Sequence, residues 1–102
     1  MQTIVILLNS IPERVMIAKK RLKLNNEHMA ILLEMSRTNY SNIENGRRGI
    51  GLKHVLLIHE FFGVSLDWLM KGEGSIPNPT LNSEALKKLN LQIVDSQLDT
   101  SI

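Results

Sequence analysis

Residues 25–33 and 36–45 each open on a polar residue able to cap a helix and carry apolar residues at helical spacing, with only Glu34 and Met35 between them. The pattern predicts two short helices joined by a tight turn. Asn25 or Asn26 caps the first, which runs to about Leu33 with Met29, Ala30 and Leu33 inward. Ser36 caps the second, Arg37–Asn45. Its Tyr40 and Ile43 face inward, whereas Arg37, Thr38, Asn39, Ser41 and Asn42 form a polar outer face, and Gly46 stops it.

Further helices extend the pattern on both sides. Pro12, after Ser10, suits the first turn of a helix over residues 12–23. Glu13 lies near its positive end, and Lys19, Lys20, Arg21 and Lys23 toward its negative end. Val15, Ala18 and Leu22 make its inner stripe. A fourth helix is expected over Leu52–Phe62, closed by Gly63, and Ser65 caps a fifth ending near Met70. Asn82 or Ser83 caps a sixth containing Leu86, Leu89, Ile93 and Val94. By contrast, the uncharged segment Met1–Ile11, with its β-branched run Thr3–Ile6, reads as an extended arm. This arm either packs on the helical core or is exchanged with a second subunit.

Composition agrees with an all-α core. The chain is 43% hydrophobic but has only four aromatic residues, which suits packed helices better than a sheet. It has no cysteine, so disulfides, thiolate nucleophiles and the common structural zinc sites are excluded, and a reducing cytoplasm is compatible. No apolar run approaches the roughly 18 residues of a membrane span, and Ile4–Leu8 lacks the flanks of a signal peptide. A soluble, cytoplasmic, unprocessed protein is expected. Charge is uneven: Glu13–Lys71 holds ten Lys/Arg against six Asp/Glu, whereas Gly72–Ile102 holds two against four. A basic middle favours a polyanionic partner.

The outer face of the third helix carries residues suited to that partner. The DNA major groove, about 12 Å wide, admits one helix whose side chains reach base edges. Arg37 can donate two hydrogen bonds to guanine, Asn42 can pair bidentately with adenine, and Thr38 offers a hydroxyl or a methyl for thymine.

From about Pro12 to Gly74 the sequence resembles the phage-repressor-like helix-turn-helix regulators of the Cro/Xre group, a docking class already well described in general terms. The resemblance rests on "LNNEHMAILLEMSRTNYSNIENGRRG", with Ala30 at the small position between helices 2 and 3, on "IENG", and on "FFGVSLDWLMKGEG" with Trp68. It implies an all-α, five-helix lambda-repressor-like DNA-binding domain with an N-terminal extended arm and a short C-terminal helix. The division is residues 1–11 for the arm, 12–72 for the domain, 73–81 for a linker and 82–102 for the C-terminal helix and tail.

Carried over by position, the resemblance places Arg37, Thr38 and Asn42 at base-reading positions, and Asn26, Asn39 and Asn45 at backbone-contacting ones. Ser41 is grouped with this set, and Arg47 and Arg48 lie in the loop that runs near phosphate. Three departures stand out. Asn26 replaces a frequent Gln. Glu34 and Lys23 replace glycines, where left-handed backbone costs roughly 1 kcal/mol or more. A helix 1 to helix 3 tie, often Arg–Glu, becomes Lys19–Glu44.

Enzymatic readings find no support. His28, His54 and His59 lack cysteine or carboxylate companions at metal-ligand spacing, so no metal or cofactor is expected, and His59 reads as a hydrogen-bonded core or boundary residue. Ser36, Ser41 and Ser65 lack a nucleophile-elbow context, and no paired carboxylates suggest acid–base work, so no catalytic residue is assigned. Leu57, Phe61 and Ile31 are extra hydrophobes, covered by the tail helix, by the arm or by a second subunit. The expected function is that of a sequence-specific DNA-binding transcriptional regulator, a repressor, acting as a homodimer on double-stranded DNA. The alternative is an antitoxin-like protein-binding module whose acidic, leucine-bearing tail captures a partner protein.

Overall fold

The computed structural model describes residues 10–90, so the expected arm up to Asn9 and the tail beyond Asn90, with Ile93 and Val94, lie outside the described residues. Helix α1 spans Ile11–Arg21. Ser10 caps it, its Oγ accepting from the Glu13 N–H at 3.2 Å. The helix therefore starts one residue before Pro12, which sits in the first turn, where its missing N–H has no intrahelical partner to lose. It also ends earlier than the expected Lys23. Leu22 caps it, Lys23 turns left-handed at φ 59°, and the Leu24 N–H reaches back to the Lys19 carbonyl at 3.1 Å.

Helix α2, Asn26–Leu33, is capped by Asn25. The Asn25 Oδ1 accepts from the His28 N–H at 2.8 Å, and the Asn25 N–H donates to His28 Nδ1 at 3.1 Å. This reciprocal pair gives His28 a structural task. Glu34 then adopts φ 56°, ψ 49°, and Ser36 caps helix α3, Arg37–Glu44, with its Oγ on the Asn39 N–H at 3.0 Å. Both glycine replacements thus keep the left-handed turns, at about 1 kcal/mol each. Helix α4, Leu52–Phe62, ends at Gly63 (φ 65°), and helix α5, Leu66–Lys71, is capped by Ser65. A sixth helix, α6, covers 83–90 and is capped by Asn82, whose Oδ1 accepts from the Ala85 N–H at 2.8 Å. No strand occurs among the described residues.

Helix α2 packs on α3 and α4, while α5 packs on α1 and α4. Their shared core is built from Val15, Ala18, Met29, Leu32, Leu33, Tyr40, Val55, Ile58, Phe62, Val64, Trp68 and Leu69, all essentially buried. Fully burying one such aliphatic or aromatic side chain contributes about 1.5–3 kcal/mol. One charged group lies among them. Arg14, 3% exposed, donates from Nε to the Leu69 carbonyl at 2.7 Å and from Nη2 to the Met70 carbonyl at 3.0 Å. It thereby satisfies carbonyls in the last turn of the six-residue α5, where intrahelical donors run out.

The tail helix covers Phe61. Ala85 and Leu89 of α6 belong to the core, Phe61 is 6% exposed, and Lys88 Nζ stands 5.6 Å from the Phe61 ring centroid. Residues 80–82 also cap α4: the Thr80 N–H donates to the Phe62 carbonyl (3.1 Å), the Asn82 N–H to Phe61 (2.9 Å), and Asn82 Nδ2 to Glu60 (2.8 Å). Lys88 then pairs with Glu34 at 2.6 Å, linking α6 to the turn between α2 and α3. His59, half-buried, donates from Nδ1 to the Val64 carbonyl at 2.6 Å, as its sequence position suggested.

Candidate nucleic-acid interface

Helix α3 divides cleanly into two sides. Tyr40 and Ile43 are buried against the core, while Arg37, Thr38, Ser41, Asn42 and Asn45 stand at i, i+1, i+4, i+5 and i+8 on the opposite face. Arg37, Thr38 and Asn45 are exposed, and Asn39, Ser41 and Asn42 half-buried. Among the described residues, the side chains of Arg37, Thr38 and Asn42 make no hydrogen bond or ion pair. The three groups assigned to base reading are therefore available to a ligand.

The end of α3 carries the loop arginines back toward it. The Asn42 carbonyl accepts from the Arg47 N–H at 2.9 Å and from the Arg48 N–H at 3.2 Å, with Gly46 left-handed at φ 76° between them. Both arginine side chains are exposed. The half-buried His54 imidazolium is held below its ordinary pKa by desolvation first, then by Lys53 and Arg48. That histidine was not assigned to the site from sequence, since its neighbourhood to Arg48 depends on how the loop closes.

Asn26 is positioned differently from a free surface contact. Its Oδ1 accepts from Lys19 Nζ at 2.7 Å, and its Nδ2 donates to Ser41 Oγ at 3.2 Å. Lys19 also pairs with Glu44 at 2.6 Å, the expected helix 1 to helix 3 tie, with both side chains nearly nine-tenths buried. Tyr40 adds a hydroxyl to Glu44 Oε2 at 2.9 Å, and its ring lies 5.9 Å from Lys19 Nζ. Desolvation first, then the Glu44 charge and hydrogen bond, push the Tyr40 phenol well above the ordinary tyrosine range, so it stays a neutral donor. One network thus joins α1, the start of α2 and the Tyr40–Glu44 stretch of α3. The Lys19–Glu44 part was legible from sequence, whereas the Lys19–Asn26–Ser41 part was not.

Among the described residues, no group of three or more His, Cys, Asp or Glu is placed to hold a metal ion. Nor is any described helix long and apolar enough to cross a membrane.

Two short helices with a tight turn, the second presenting an open polar face beside two arginines, define a helix-turn-helix domain, the architecture of DNA-binding regulators of transcription. A family model described as a helix-turn-helix domain matches residues 13–75, and the chain belongs to that family, in keeping with its Cro/Xre-like resemblance. No curated protein and no solved structure matches the chain.

Proposed function

We propose that this protein is a sequence-specific transcriptional repressor that binds double-stranded DNA as a homodimer, with α3 in the major groove. The observation that carries the reading is the outer face of α3, where Arg37, Thr38 and Asn42 are uncommitted within the protein and chemically matched to base edges. Asn26, Asn39, Ser41, Asn45, Arg47 and Arg48 surround that face and serve the phosphate backbone, setting register without reading sequence. Two subunits would place two such helices one turn of DNA apart, so that modest half-site affinities multiply. Repression follows from occupancy of the promoter. The DNA-binding domain spans residues 12–72, followed by a connector over 73–81 and a C-terminal segment over 82–102.

Selection of bound duplexes from a random DNA pool, followed by mass measurement of the complex, tests this reading. Enrichment of a two-fold symmetric site bound by two chains is the expected result. A pool that stays unenriched above nonspecific binding, or a complex holding one chain, refutes the corresponding part.

A further inference from the structure

We propose that Lys19 is a positioning residue for DNA binding: it fixes which way the Asn26 amide points and so aims an N–H donor at the phosphate backbone. The inference rests on the reading of Asn26 as a backbone contact. A primary amide is nearly symmetric in shape, with an acceptor at one end and two donors at the other. Left alone, it can present either end to DNA, and only the donor end binds phosphate.

Lys19 removes that choice. Its ammonium has donors and no acceptor, and it stands 2.7 Å from Asn26 Oδ1. The amide oxygen must therefore face Lys19. Nδ2 must face α3, where one hydrogen meets Ser41 Oγ at 3.2 Å and the second is left for a ligand oxygen. Lys19 itself cannot turn away. Glu44 holds the same nitrogen at 2.6 Å, and the lysine side chain is only 11% exposed. The tie between α1 and α3 thus does more than brace the fold, because it sets the polarity of a contact at the start of α2. A shorter Asn at this position, anchored in this way, presents its donor without relying on side-chain reach.

The test is a double-mutant cycle on the full chain, read by fluorescence anisotropy with a labelled duplex of mixed sequence, at a temperature where urea titrations show every variant folded. Asn26→Ala is expected to weaken binding about tenfold. Lys19→Met should weaken it comparably, and the double variant should be little weaker than Asn26→Ala alone. Lys20→Met, an exposed lysine on the same helix, reports the effect of losing one positive charge, and Lys19→Arg, which keeps a donor, should restore most of the affinity. Glu44→Gln, which removes the charge but keeps an oxygen acceptor for the Lys19 ammonium, separates bracing from aiming: stability falls while affinity of the folded protein holds. The Asn26 side-chain amide signals in a nitrogen–proton NMR spectrum should shift in Lys19→Met and not in Lys20→Met. If Lys19→Met costs as much affinity in the Asn26→Ala background as in the parent, Lys19 acts independently of the amide and the proposal is wrong. If Asn26→Ala alone leaves binding unchanged, the phosphate assignment of Asn26 fails first, and the proposal falls with it.

Discussion

Replacing Arg14 by methionine should destabilise the domain by about 2–4 kcal/mol. Arg14 is 3% exposed, and its guanidinium makes charge-assisted hydrogen bonds that include those at 2.7 and 3.0 Å to the Leu69 and Met70 carbonyls. Bonds of that kind contribute about 1.5–3 kcal/mol each. Against their loss stands the relief of a buried charge, whose desolvation also holds the Arg14 pKa below its ordinary value, and the retention of an apolar stem by Met. The balance is a large share of the roughly 5–15 kcal/mol typical of a whole domain. It corresponds to a fall in Tm of about 10–25 °C for a domain of this size.

Trp68 gives a direct assay. It is the single tryptophan of the chain, lies in α5 and is 3% exposed, so its emission shifts to the red when α5 leaves the core. Urea titration followed by Trp68 emission and by helical circular dichroism should show both transitions moving together to lower midpoint in Arg14→Met, with Arg14→Lys between it and the parent, since a point charge cannot reproduce the fork. A midpoint unchanged in Arg14→Met would refute the reasoning, because it would mean that the α5 carbonyls find water or another donor at no cost. A loss confined to the Trp68 signal would show instead that the clamp holds α5 alone.

Four further outcomes are expected. Leu89→Ala should cost about 2–4 kcal/mol in urea unfolding, as for a core leucine, since this α6 residue is only 5% exposed; a change under about 0.5 kcal/mol would show that α6 is an appendage. Lys23→Gly should raise stability by about 1 kcal/mol by removing the left-handed strain at φ 59°, and a loss in thermal or urea unfolding would contradict that. Arg47→Ala or Arg48→Ala should lower the slope of log affinity against log salt by about 0.9 for every duplex, while Arg37→Ala or Asn42→Ala should relax sequence preference; equal loss of specificity in both pairs would sink the division. Because the His54 pKa is lowered in the fold, the folded state binds fewer protons than the unfolded one. Stability should therefore be full above the ordinary histidine range and decline as pH falls through it, a dependence that His54→Gln should remove in pH-resolved urea titrations.

Most helix starts were legible in the sequence because capping is local chemistry, whereas α1 ends at Arg21, short of the expected Lys23. Ser10, Asn25, Ser36, Ser65 and Asn82 each meet an N–H three residues on, and Gly46 and Gly63 supply left-handed turns at the ends of helices. The division of α3 into Tyr40 and Ile43 inside and a polar face outside followed from the 3.6-residue period alone. Its Lys19–Glu44 brace was visible only through a family resemblance, since nothing local relates residues 25 positions apart.

What the tertiary structure decided are the contacts that periodicity does not encode. Arg14 finds its carbonyls 55 and 56 residues away. Asn26 reaches Ser41 across the helix pair. Phe61, open from sequence to three possible covers, is closed by the tail helix, whose Lys88 also ties back to Glu34. The physical reason is the same in each case. The short turn after Leu33 and the helical period determine which face of each helix turns inward, but which donors and rings then meet across those faces depends on how the described helices pack, and only packing brings them within hydrogen-bonding distance.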